Sequence, residues 1–176
     1  RHAGGCRAAV DAPGGRMKIL CAASVLFGRE AFSTLGPVEV VPDAEIDAQA
    51  VRDADALIIR SKTRVDDALL AGSRLAFVAT ATAGYDHIDR AACEARGVAV
   101  SVAAGCNADS VAEYFVTGLL CVAQRHGVAL QGRTLGVIGV GQVGRRVARK
   151  ARALGMYTLL NDPPLRIATG DPSYEE

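Results

Sequence analysis

The chain has 176 residues, half of them hydrophobic, with 20 basic against 19 acidic side chains and a net charge of +1. This balance argues against a nucleic-acid or anionic-membrane surface, which needs a basic stripe. No apolar run reaches the roughly 20 residues of a membrane span, because Glu113 interrupts Val111–Ala123.

Residues 1–16, RHAGGCRAAVDAPGGR, lack the apolar core of a signal peptide and read as a disordered or non-native extension upstream of Met17. A βα rhythm follows. The apolar runs 17–23, 38–41, 55–61, 75–82 and 98–102 predict five strands. Between them 29–35, 47–53, 65–71 and 88–96 predict short helices, several of them stopped at Gly36, Gly72 and Gly97. Alternation of this kind predicts a parallel sheet covered on both faces.

After Ala104-Gly105-Cys106-Asn107 the pattern changes to one long helix, about 109–125, which Asp109 or Ser110 would cap and Gly127 would end. Strand 134–139, helix 142–154 and strand 157–161 come next, then a polar tail from Asp162. This predicts a substrate domain over 17–106 and part of a dinucleotide domain over 107–176. One βαβ unit is about half of a doubly wound fold, so the chain reads as truncated. The missing half would leave a bare strand edge, which favours aggregation.

Cys6, Cys21, Cys93, Cys106 and Cys121 show no Cys-x-x-Cys pair and no histidine at ligand spacing. They read as free thiols of a reducing cytoplasm, with neither a metal site nor a catalytic thiol.

The segment VIGVGQVGRRV (137–147) carries Gly139, Gly141 and Gly144 in the spacing G-x-G-x-x-G between a strand and a helix. The first glycine permits the tight turn, the second lets a pyrophosphate approach the backbone, and the third lets helix and strand pack closely. The amides of Gln142 and Val143 would face the phosphates from the helix N-terminus. Asp162, 18 positions beyond Gly144, stands where an acid accepts hydrogen bonds from the adenosine ribose. Its charge opposes a 2′-phosphate, so the cofactor predicted is NAD; Arg166 is the one nearby residue that would favour NADP. Arg145, Arg146 and Arg149 read as the solvated face of the helix.

RSKTRVDDALLAG (60–72), FVATATAGYDHIDRAACEARGVAVSVAAGCNADSVAEY (77–114), GRTLGVIGVGQVGRR (132–146) and LLNDPP (159–164) resemble the D-isomer-specific 2-hydroxyacid dehydrogenases over nearly all of 17–164. The resemblance implies a flavodoxin-like substrate domain followed by the first part of a Rossmann domain. It also implies NAD-dependent oxidation of a small phosphorylated 2-hydroxy acid in the interdomain cleft, by a homodimer when full length. Ser61 and Thr82 would contact the substrate, their hydroxyls donating to carboxylate or phosphate oxygens. Lys62 and Arg64 would attract it, and Asn107, Val111 and Glu113 would form the hinge beside the nicotinamide.

One departure is Ala22-Ala23-Ser24, where the family often has Asp-Glu-Asn in a loop facing the cleft. The family's catalytic Arg and Glu-paired His come from the second half of the dinucleotide domain, so no catalytic residue is assigned and the fragment is expected to be inactive. His87 and His126 read as packing or capping residues. The alternatives are another member, such as a phosphoglycerate dehydrogenase, a non-catalytic NAD-binding module, or an S-adenosylmethionine-dependent methyltransferase, which also uses a glycine-rich strand–helix turn.

Overall fold

The computed structural model describes residues 16–174. The expected extension at 1–16 and Cys6 lie, except for Arg16, outside them. The chain divides into two compact units after Ala104.

The first unit is a five-stranded parallel sheet of β1 (Ile19–Ala22), β2 (Val38–Val41), β3 (Ala56–Ile59), β4 (Phe77–Thr80) and β5 (Ala99–Val102). The strand order is β2-β1-β3-β4-β5, the flavodoxin-like order implied by the resemblance. Every residue of β1 and β3 is buried, as continuous apolar runs in a doubly covered sheet require. Alternate residues serve opposite faces. Leu20, Ala22, Leu57, Ile59 and Val78 enter one core, while Ile19, Cys21, Ala56 and Ile58 enter the other.

The helices here are short: α1 (Gly28–Phe32), α2 (Asp67–Leu70) and α3 (Arg90–Ala95). Asp66 caps α2 through the Leu69 amide, and Asp89 caps α3 through the Ala92 amide. The helix expected at 47–53 does not form. The Asp47 carboxylate accepts from the amides of Gln49 and Ala50, a local bond that competes with helix. The segment becomes a run of turns that buries Val51 and Ala54, and a single 3-10 turn precedes it at Asp43–Glu45.

The second unit begins with α4 (Ala108–Arg125), followed by β6 (Thr134–Ile138), α5 (Gly144–Ala153) and β7 (Tyr157–Asn161). Asn107 holds the cap position of α4 without a side-chain bond, which corrects the expectation for Asp109 and Ser110. Asp109 instead turns to α5, pairing with Arg146 at 3.0 Å and Arg149 at 3.5 Å, while Glu113 pairs with Lys150 at 3.2 Å. Two of the three arginines read as a solvated face therefore tie α5 to α4. The polar tail is ordered as well. It forms α6 (Pro163–Thr169) and a 3-10 turn at Pro172–Tyr174, because Asp162 caps a helix that proline opens. Among the described residues β6 pairs only with β7, and Ile138 is 89% exposed.

No helix of the described residues is long and apolar enough to cross a membrane. Cys21, Cys93, Cys106 and Cys121 are free thiols, the first two buried.

Candidate functional site

Two sets of residues bear on function, one in each unit. In the second unit, β6 ends at Ile138 and Gly139 turns the chain at φ +84°, a conformation that favours glycine. Gly144 opens α5 against that turn: a Cβ there would stand 2.0 Å from the Gly139 carbonyl oxygen. A Cβ on Gly141 would meet nothing within 4 Å, so its missing side chain leaves open space above the loop, not a packing contact. Within α5 the amides of Arg145 and Arg146 already donate to the Gly141 and Val143 carbonyls, so those that would face an anion, with the helix dipole behind them, are the amides of Gln142 and Val143 just before it.

Asp162 follows β7. One carboxylate oxygen accepts from the Val140 amide at 2.7 Å and the other from the Leu165 amide at 3.0 Å. Its own N–H donates to the Tyr174 carbonyl at 2.8 Å. The acid picked out by spacing is thus fastened to the glycine loop itself. Each oxygen keeps a second lone pair for an incoming hydroxyl. Glycine spacing and open space above Gly141 fit a dinucleotide pyrophosphate, and the pinned Asp162 fits a ribose diol.

Gln142 is fixed as well. Its side-chain oxygen accepts from Arg145 and, at 2.9 Å, from Arg146. It also packs where a Cβ on Gly105 would lie 3.1 Å away. Val111 and Glu113 are exposed on α4.

In the first unit all strands run parallel, so β1, β3 and β4 end at one edge, where open α/β sheets bind ligands. Ser24, Ser61 and Thr82 each stand two residues past those ends. Ser24 is held by Asp43, through its hydroxyl at 2.6 Å and its amide at 3.2 Å. The departing Ala22-Ala23-Ser24 loop is thus tied to the 3-10 turn at Asp43–Glu45. Ser61 and Lys62 are exposed. Arg64 pairs with Asp66 at 3.3 Å. Arg60, not singled out from the sequence, is an exposed cation whose guanidinium reaches the Ser24 carbonyl at 3.4 Å.

Thr82 sits on a hidden network. Its hydroxyl donates to the Gly84 carbonyl at 2.8 Å and contacts the Thr80 hydroxyl at 2.6 Å. Thr80 is buried, with His87 Nε2 3.1 Å from its oxygen. The period-two spacing of Thr80 and Thr82 was the only sequence signal of this stack.

Burial pushes the His87 imidazole below its ordinary value of 6.5, against the opposing pull of Asp86. Such a group contributes fully above its unfolded-state value and loses that contribution as pH falls through its lower native value. Urea midpoints should therefore decline as pH drops from about 7 towards 5, and His87→Gln should flatten that slope. An unchanged slope in the variant would show that His87 is not the group responsible. Asp67 and Asp109, held below the carboxylate range by bonds from Arg96 and Arg146, act only at lower pH.

A doubly wound five-stranded unit followed in the chain by a long helix and a glycine-turn βαβ unit defines the class. The family described as D-isomer specific 2-hydroxyacid dehydrogenase, catalytic domain, matches residues 28–163, and the chain belongs to it. The chain is 50% identical over 155 residues to the erythronate-4-phosphate dehydrogenase of Klebsiella pneumoniae (strain 342), covering 88% of this chain and 41% of that protein. It is 48% identical, with the same coverage, to that of Escherichia coli (strain 55989 / EAEC). The chain thus spans about two-fifths of the length of these curated relatives. Among solved structures, the NAD+-bound 3-phosphoglycerate dehydrogenase of Entamoeba histolytica is similar at 30% identity and a TM-score of 0.67, over 85% of this chain and 55% of that one. D-lactate dehydrogenase of Aquifex aeolicus, complexed with NAD and lactic acid, is similar at 25% identity and a TM-score of 0.66, over 82% and 51%.

Proposed function

We propose that this chain supplies the substrate domain and dinucleotide turn of an NAD-dependent dehydrogenase. Its substrate is 4-phosphoerythronate, oxidised at the 2-hydroxyl to 2-oxo-3-hydroxy-4-phosphobutanoate. That reaction serves pyridoxal phosphate biosynthesis in the cytoplasm. The observation that carries the reading is the 48–50% identity to erythronate-4-phosphate dehydrogenases over 88% of the chain. It is supported by a glycine turn whose third glycine has no room for a side chain.

NAD, when bound, accepts the hydride. Gly139, Gly141, Gln142, Val143 and Gly144 cradle its pyrophosphate, and Asp162 receives the ribose hydroxyls and repels a 2′-phosphate. Ser61 and Thr82 orient the substrate, while Arg60 and Lys62 raise the local concentration of its anionic form. Asn107, Val111 and Glu113 belong to the hinge segment. No described residue is assigned as the base: neither His87 nor His126 hydrogen-bonds a carboxylate side chain among the described residues. The chain alone is therefore expected to bind without turnover. The full-length enzyme is a homodimer in this reading.

Thermal denaturation with NAD, NADP or S-adenosylmethionine tests this. NAD at about 100 times its dissociation constant should add roughly 2.7 kcal/mol, with little from the other two. Protection by S-adenosylmethionine alone would point to a methyltransferase. Protection by NAD but not by 4-phosphoerythronate would favour a non-catalytic NAD-binding module or a dehydrogenase for another 2-hydroxy acid.

A further inference from the structure

Only one arrangement of protons makes every contact in the hydroxyl stack under Thr82 a hydrogen bond. A carbonyl oxygen cannot donate, so the Thr82 hydroxyl hydrogen goes to Gly84, 2.8 Å away. The 2.6 Å contact between the two threonines then needs its hydrogen from Thr80. A hydroxyl carries a single hydrogen, so the Thr80 oxygen accepts from His87 Nε2 at 3.1 Å. In this arrangement a neutral imidazole takes the Nε2–H form, with Nδ1 bare. Donation runs in one direction, from His87 through Thr80 and Thr82 to the Gly84 carbonyl.

We propose that this ordered chain presents Thr82 to the ligand as a hydrogen-bond acceptor. Thr80 and His87 act as positioning residues, so that Thr82 selects a hydroxyl group of a polyhydroxy acid. An anionic oxygen placed there meets a lone pair where it needs a hydrogen. This reverses the donor role expected for Thr82 from its residue type. The identity of the acid rests on the function proposed above; the proton order does not. In 4-phosphoerythronate the 2-hydroxyl must give its hydrogen to the base that drives oxidation. One hydrogen cannot serve both partners, which assigns Thr82 to the 3-hydroxyl.

The test uses the full chain labelled with nitrogen-15, at about pH 7.5 where an unperturbed histidine is neutral. Long-range proton–nitrogen spectra report the tautomer, and the His87 signals are those lost in His87→Gln. We expect Nε2 protonated and Nδ1 bare. Thr80→Val should let both tautomers populate, and Thr80→Ser should restore the single form, which a merely structural threonine would not do. In titrations, 2-hydroxy-4-phosphobutanoate, which lacks the 3-hydroxyl, should bind the wild-type chain about two- to tenfold more weakly than 4-phosphoerythronate. Thr82→Val should erase that difference.

An Nδ1–H tautomer in the wild-type chain would overturn the proton order and the proposal with it. Equal binding of the two acids to the wild type would overturn the selection of a hydroxyl. If neither acid binds while the Nε2–H form is found, the proposed substrate fails and the acceptor polarity stands.

Discussion

Replacing Gly144 by alanine should destabilise the second unit by about 1–3 kcal/mol, the usual cost of forcing extra volume into a packed site. The new Cβ would lie 2.0 Å from the Gly139 carbonyl oxygen, 3.0 Å from its carbon and 3.3 Å from Val137 Cγ1. Two of these neighbours are backbone, so relief requires the turn and the start of α5 to move apart. That motion also spoils the loop amides, and NAD protection should vanish in the same variant. Gly141→Ala is the informative contrast. Its Cβ meets nothing within 4 Å and its φ is not positive, so the fold should tolerate it. In the proposed cradle the added methyl would stand where the pyrophosphate approaches, and NAD affinity should fall at least about tenfold, or 1.4 kcal/mol. Calorimetric melting with and without NAD separates the two effects. A Gly144→Ala protein as stable as the parent would refute the close approach, and unchanged NAD binding by Gly141→Ala would refute the cradle.

Asp162→Ala should cost about 2–4 kcal/mol and abolish NAD protection as well. One part is the cap on α6, about 0.5–2 kcal/mol. The other is a charged acceptor withdrawn from the Val140 amide, about 1.5–3 kcal/mol; the two share one carboxylate and do not add in full. Asp162→Asn keeps one acceptor oxygen, so it can satisfy Val140 or Leu165 but not both, and it should fall between alanine and the parent. Urea midpoints at an unchanged m-value measure this directly. A stability loss under about 0.5 kcal/mol in Asp162→Ala would mean that the carboxylate anchors neither partner.

The glycine turn and Asp162 also mark what could be read from local pattern. The five strands of the first unit, both strands of the second and the glycine turn were legible, because each is set by neighbours in the chain. A strand buried on both faces must be a continuous apolar run, as in ILCA and ALII. A positive φ at a strand–helix junction asks for glycine. The spacing of Asp162 from Gly144 was equally visible. Helices of four to seven residues were less so: 47–53 has a helix-like pattern, yet the Asp47 side chain takes its first amides.

Everything that depends on which distant groups meet was decided by tertiary structure. The sequence by itself determined that Asp162 follows a strand, 18 positions beyond Gly144. Only the fold brought its carboxylate to the Val140 amide and its N–H to Tyr174, building the polar tail into a helix and a docked turn. The sequence likewise placed Asp109 at a helix start, and only packing turned it from a cap into the partner of Arg146 and Arg149. Thr80, Thr82 and His87 were all in view in TATAGYDH. That a single proton order would satisfy all three contacts follows from distances, because a hydrogen bond is short and directional and no spacing along the chain encodes either property.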